Sequence, residues 1–397
     1  MNGARCGGVV WGEAGEACGE AAAMGVVGGY FGGERSPGRA GSLPGDAPGS
    51  RMSTRFSDMK NARSLMARAK STLKNGYVIK APPVGISISE APWPMADSDY
   101  AAEISCPQKA VAFGLDFHPS QRLLAAGLIT GQLRVYRYGE GGAEPERQLA
   151  ARPHAEACRS VRFDLEGSHI LSCGSDCSVQ RRDLEANKPV WRARKAHASA
   201  INVCEPLGPH GVATGDDDGS VHVWDVRQAG TVMKFAEHSD VIHGLHFSLA
   251  KLHLACCSSD GHLSVFDLRK GRLEARSDDL DEEMLCLAPL KGGKKLLAGC
   301  DSGVVGVFSW GDFGDFSDRL TPQMLGSEEA VEAMVPLDEH TFLTASADGV
   351  LRAVALHPSK LLGEFGRHSE PLEALAIDAE AAVAVHIYRR VYMYLCI

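Results

Sequence analysis

The stretch Thr214-Gly-Asp-Asp-Asp218-Gly219-Ser-Val-His-Val-Trp224-Asp225 decides the fold. An acidic turn closes on a glycine, and the residues after it alternate between polar and apolar up to an aromatic. Alternation with period two is the pattern of a strand with one face buried. Upstream, Val212–Gly215 is a short apolar run and Ile201–Cys204 is another. The same order returns further on. Ile242–Phe247 and Leu252–Cys256 lead into Ser258-Ser-Asp260-Gly261, then His262-Leu-Ser-Val-Phe266-Asp267.

The module recurs along most of the chain. The small residue that ends each turn is Gly131, Cys177, Gly219, Gly261, Gly303 or Gly349, at intervals of 42 or 46 residues. Five residues after each stand Tyr136, Arg182, Trp224, Phe266, Phe308 and Val354. Three short apolar runs per repeat, with room for a fourth strand in each link, make the unit a four-stranded propeller blade.

Composition fits this reading. Apolar residues are 44% of the 397, enough for a sizeable core. The 12 cysteines lack the paired spacings of a zinc site, so they are expected to be reduced core residues, and no metal or cofactor is expected. The sequence has no N-x-S/T acceptor, no run of 18 apolar residues and no basic-then-apolar leader, which disfavours secretion and a membrane partner. No small-molecule substrate is expected either.

The termini differ from the repeats. Residues 1–50 are rich in glycine and poor in large apolar side chains, too little to offset their ordering entropy, and Met52 is an alternative start. Residues 51–80 carry Arg51, Arg55, Lys60, Arg63, Arg68, Lys70, Lys74 and Lys80 against Asp58 alone. Three readings stay open for them: a solvated basic tail, an RNA-contacting or nuclear arm, and an organelle transit peptide. The chain as a whole is at −9, so the repeat region is more acidic still and repels phosphate in bulk. Any RNA contact is therefore expected to be indirect, through 51–80, or at a local basic patch such as Lys291, Lys294 and Lys295. The domains are read as a disordered, Gly-rich then basic extension over residues 1–95 and a propeller over 96–397.

The third and fourth repeats, His197…Asp218-Gly219…Trp224-Asp225 and His238…Asp260-Gly261…Phe266-Asp267, resemble WD repeats. The pattern calls for a buried polar relay, with His197 reaching Asp218 in the turn and Thr214 and the Trp224 indole completing the chain. In repeat four the corresponding set is His238, Ser258 and Asp260. The same residue types make up a hydrolase triad, but they recur in each repeat and no nucleophile motif accompanies them. The chain is accordingly expected not to be an enzyme. His118, His154 and His368, at blade entries and turns, are read as structural.

Ala213–Gly219, Gly299–Gly303 with Trp310-Gly-Asp-Phe-Gly-Asp-Phe-Ser-Asp-Arg319, Ser346–Val354, and Leu115-Asp-Phe-His-Pro119 with Leu123–Gly127 resemble the WD repeat-containing protein 55 family, over roughly residues 100–380. The resemblance implies an all-β, seven-bladed WD-repeat β-propeller, with six clear repeats and a seventh weak or truncated. The reason for the last point is that Arg389-Arg390 stands in the final turn and the chain stops at Ile397. A strand around 99–105 is expected to help close the ring. The resemblance further implies a scaffold in ribosomal RNA processing in the nucleolus, with ribosome-assembly factors as protein partners.

A second reading makes the chain a substrate receptor of a cullin-4 ubiquitin ligase. It rests on Trp224-Asp225-Val-Arg227 and Phe266-Asp267-Leu-Arg269, which are similar to the WDxR box that docks the damaged-DNA-binding adaptor. Arg227 and Arg269 have a structural alternative within the blade. The acidic clusters Asp216–Asp218 and Asp278–Glu283 are read as solvated loops, a site for a basic partner, or, with no EF-hand spacing, a weak candidate for calcium.

Overall fold

The computed structural model describes residues 102–105, 111–139, 145–378, 382–387 and 390–395. All of them belong to one unit of the chain, residues 49–397. The expectations for residues 1–95, including the extension and its basic arm at 51–80, lie outside the described residues.

The described chain opens with strand β1, Ala102–Ser105. Blade one follows as β2 (Ala112–Phe117), β3 (Leu123–Leu128), β4 (Leu133–Arg137) and β5 (Glu146–Ala151). Blade two is β6 (Cys158–Phe163), β7 (His169–Gly174), β8 (Val179–Asp183) and β9 (Lys188–Ala193). Blade three is β10 (Ile201–Pro206), β11 (Gly211–Asp216), β12 (Val221–Asp225) and β13 (Thr231–Phe235). Blade four is β14 (Ile242–Ser248), β15 (His253–Ser258), β16 (Leu263–Asp267) and β17 (Arg272–Arg276). Blade five is β18 (Met284–Leu290), β19 (Lys295–Cys300), β20 (Val305–Ser309) and β21 (Asp318–Leu320), followed by a one-turn helix α1 (Pro322–Leu325). Blade six is β22 (Val331–Pro336), β23 (Thr341–Ser346), β24 (Val350–Ala355) and β25 (Lys360–Arg367). Three strands remain, β26 (Leu372–Ile377), β27 (Ala382–Ile387) and β28 (Arg390–Leu395).

In each of the six blades, four consecutive strands pair in chain order, all antiparallel. The innermost strands β2, β6, β10, β14, β18, β22 and β26 neighbour one another in turn, and β26 returns to β2.

The expectation of a seven-bladed repeat propeller is corrected here: six blades are repeat units of four consecutive strands, not seven. The last sheet is a composite of different construction, ordered β1-β28-β27-β26, in which the first described strand supplies the outer edge. Nor is that sheet truncated. Arg390 sits within β28, opposite Ser105, and the pairing of β1 with β28 covers backbone groups that a bare β28 would leave open.

The core lies between neighbouring sheets. Residues five beyond the turn are its anchors in blades three to six, where Trp224, Phe266, Phe308 and Val354 are almost fully buried, whereas Arg182 of blade two is half-buried. Phe266 packs face to face on Phe235 of the preceding blade, with ring centroids 4.2 Å apart. Burying one such phenyl ring contributes about 2–3 kcal/mol. At the ring's seam Leu115, Leu124 and Tyr136 of blade one pack with Ala376 and Val391. There the Tyr138 hydroxyl donates to the Asp378 carboxylate, both groups being buried.

The turn residue before each anchor has a left-handed backbone, with φ from 77° to 80° at the five glycines and 55° at Cys177. At Gly219 a Cβ would come within 2.4 Å of the His238 carbonyl oxygen, so the close approach of the next blade requires glycine there.

In each innermost pair the register shifts after the first residue, as between Ile201 and Val203 or Ala112 and Gly114. The shift leaves one residue per blade outside the register of the innermost pair, Phe113, Arg159, Asn202 and His243 among them.

Candidate functional site

The relay is complete in blade three. His197 and Thr214 are buried, His197 Nδ1 lies 2.7 Å from Asp216 Oδ2, and Nε2 lies 2.7 Å from Thr214 Oγ1. The Trp224 Nε1–H donates to the same hydroxyl at 2.8 Å. With Nδ1–H donating to the carboxylate, Nε2 of the neutral ring accepts from the Thr214 hydroxyl, whose other acceptor within reach, the His222 carbonyl, is farther at 3.5 Å. Burial pushes the Asp216 carboxyl up, but His197 and the backbone N–H groups of Ser220 and Asp218 outweigh it and hold it below the usual range. His222 stacks on His197 at 3.8 Å.

The acid in this relay is Asp216, and the expected Asp218 is corrected accordingly. The three consecutive aspartates divide the work. Asp216 is buried and serves the relay. Asp217 receives two bonds from Arg159 of blade two, at 2.6 and 2.7 Å. Asp218 is exposed, and its N–H donates to Asp216. The sequence pattern aligns the acid by its distance from the glycine, whereas the hydrogen bond selects the carboxylate at the strand end.

Blade two builds the same device without a tryptophan: His154 Nδ1 meets Asp176 at 2.9 Å and Nε2 meets Ser172 Oγ at 3.0 Å. Blade four has half of it. His238 Nδ1 meets Asp260 at 3.0 Å, but His238 Nε2 is buried without a partner. The expected Ser258 does not reach it and donates to the Asp240 carbonyl instead. The strand position equivalent to Thr214 is Cys256, as shown by the pairings Thr214↔His222 and Cys256↔Ser264. In blade six Arg352 and Asp348 form an ion pair instead. Ser172 and Thr214 are at most 1% exposed, so neither hydroxyl is open to a substrate, and the His–hydroxyl–carboxylate sets act as struts.

Both WDxR arginines fold back on their own aspartates. Arg227 Nε donates to Asp225 Oδ1 at 2.8 Å, its Nη2 donates to Oδ2, and its backbone N–H donates to Oδ1 at 3.0 Å. Arg269 contacts Asp267 through Nε at 3.3 Å and Nη2 at 3.2 Å, and Lys270 adds a 3.1 Å ion pair. Asp225 and Asp267 are buried, and burial alone would raise their carboxyls. The arginine partners reverse this and hold both below the usual range. Trp224 and Phe266 are core residues and offer no surface. The guanidinium groups remain partly open, with side-chain exposures of 32% at Arg227 and 49% at Arg269. They stand in equivalent turns of adjacent blades, on the face formed by the turns that follow the first and third strands.

The remaining candidates are more local. Asp278 N–H bonds the Gly314 carbonyl, and Glu282 accepts from the Ser302 hydroxyl. Of the lysine patch, Lys295 is committed to Ser309 and Ser317 at 2.7 and 3.1 Å. The fifth-repeat segment folds inward: Phe316 packs on Phe308 at 4.8 Å and covers Gly306, where any side chain would collide with it. Lys251 lies over the Trp310 ring at 4.5 Å. Among the described residues no helix is long and apolar enough to cross a membrane, and no cluster of three metal-ligating side chains occurs.

Comparison with known proteins agrees with this architecture. The family model described as WDR55 matches residues 102–386. WD repeat-containing protein 55 of Arabidopsis thaliana is 36% identical over 269 residues, covering 68% of this chain and 75% of that protein. The Homo sapiens protein of that name is 33% identical over 290 residues, covering 73% and 74%. The Mus musculus protein is 33% identical over 271 residues, covering 68% and 69%.

Proposed function

Because the chain belongs to the WD repeat-containing protein 55 family, we propose that it is a protein-interaction scaffold in ribosome biogenesis, acting in ribosomal RNA processing in the nucleolus. The observation that carries the reading is the family match, which spans the six repeat blades and reaches into the composite sheet. The geometry supports the coarser part of it. Rigid blades held by buried relays present turns on two faces, and the relay hydroxyls are shielded from solvent. The acidity of the repeat region favours basic assembly proteins over direct contact with phosphate. Sucrose-gradient sedimentation of cell extract tests the proposal: the tagged chain is expected in the pre-ribosomal fractions, and a signal confined to light fractions would remove it.

The second reading, a cullin-4 substrate receptor, is favoured by one observation: adjacent blades present two partly open arginines on the same face. Adaptor capture by wild type and by the R227A/R269A double variant tests it, since unchanged capture removes the role of both arginines.

A further inference from the structure

A groove of about 570 Å³ opens between blades one and two on the face that also carries Arg227 and Arg269. Its carboxylate walls come from blade two: Glu166 belongs to the turn joining β6 and β7, Asp183 ends β8, and Glu185 lies in the turn joining β8 and β9. Leu184 supplies its apolar surface, backed by the buried Leu123 and Leu149.

The charges are unbalanced. Among the described residues Glu166, Asp183 and Glu185 form no ion pair; Asp183 accepts the Ala186 N–H at 2.7 Å and stands opposite Lys188 in the register of β8 and β9, and the single guanidinium on the wall, Arg137, stands opposite Glu146 in that of β4 and β5. The nearby Asp164, by contrast, holds Arg181 and His169. The groove is pre-shaped. His118 Nδ1 accepts the N–H groups of Ser120 and Gln121 at 3.0 and 2.9 Å, and its ring rests against Gly167, where a Cβ would come within 2.2 Å.

An apolar surface below carboxylate walls matches one kind of side chain, an aliphatic stem ending in a cation. We propose that this groove receives a lysine or arginine side chain from a basic segment of a partner protein, the stem lying along Leu184 and the cation between Glu166 and Glu185. The proposal rests on the scaffold reading and names the chemistry of its partner. The acidity of the repeat region draws basic chains in, and the groove supplies the position.

The test is fluorescence anisotropy on the full chain with a labelled lysine–alanine repeat peptide as probe. The E166Q/E185Q variant is compared with E328Q/E339Q, which removes the same charge from exposed loops of blade six. The expected result is a loss of affinity of about tenfold for the groove variant and less than about twofold for the control. Equal losses would reduce the binding to bulk attraction, while no loss in the groove variant, or no binding by wild type, would also overturn the proposal. The gradient position of E166Q/E185Q separates this site from the scaffold reading: a chain that loses the peptide yet stays in the pre-ribosomal fractions fails neither proposal, and a wild-type chain absent from those fractions fails the scaffold reading alone.

Discussion

Replacing Thr214 by valine keeps the shape of the side chain and removes its hydroxyl, which is the junction of the blade-three relay. Two buried groups lose their partner at once, the Trp224 N–H, 2.8 Å away, and His197 Nε2, 2.7 Å away. A buried polar group left unpaired costs about 1–3 kcal/mol, so T214V is expected to lose about 3 kcal/mol or more. Thr214→Ser keeps both bonds and deletes one methyl, at a cost of about 1 kcal/mol. Urea unfolding at neutral pH, followed by circular dichroism, measures the order. Circular dichroism is preferred because Trp224 would itself perturb a fluorescence readout. If T214V is as stable as wild type, or T214S is the worse of the two, the relay is not what holds the blade.

Three further outcomes follow from the same structure. Cys177 holds a backbone φ of 55° in a slot that is glycine in blades one and three to six, so Cys177→Gly is expected to raise stability by about 1 kcal/mol, read as a higher urea midpoint with unchanged slope. Tyr138→Phe leaves the buried Asp378 carboxylate without its hydroxyl donor at the ring's seam and is expected to cost about 1–3 kcal/mol, with hydrogen exchange rising in β26. Burial lowers His246 to about 4 and lifts Glu205 to about 7. For His246 the unfolded chain binds a proton near pH 6.5 and the folded chain only near 4, so its contribution falls as pH drops across that window. For Glu205 the folded chain takes its proton first, so stability is gained as pH drops from 7 towards the unfolded value of 4.5. Urea midpoints at pH 7.5 and 5.5 check both signs: H246Q should lose less on acidification than wild type, and E205Q should gain less.

The repeats are legible because the chain states them several times over. Turn residues at 42 and 46 residue intervals, five glycines and Cys177, with alternating strands after them, mark β4, β8, β12, β16, β20 and β24. The last sheet is harder to read because it is made from two distant pieces of chain. No local pattern joins Ala102–Ser105 to Arg390–Leu395, and Arg390 belongs to a strand although its position by spacing is a turn. Spacing misplaces the relay at two residues for related reasons. Of three aspartates in a row, distance from the turn glycine picks Asp218, and only the 2.7 Å bond selects Asp216. Ser258 stands two residues beyond the strand position that faces the histidine, where Cys256 sits, so blade four keeps an unpaired His238 Nε2. The back-bonding of Arg227 and Arg269 is one of two readings of the WDxR pattern, and an i, i+2 spacing cannot distinguish a guanidinium that reaches back to its own aspartate from one held out to a partner. The groove between blades one and two has no sequence signal at all, because its walls are drawn from four separate turns and strands.

The proposed role in ribosomal RNA processing is tested by depletion of the protein with a gel of the ribosomal RNA precursors. Precursors are expected to accumulate, the wild-type chain to restore their processing, and the chain to be imaged in the nucleolus of the same cells. Normal precursors with the protein imaged elsewhere would contradict it.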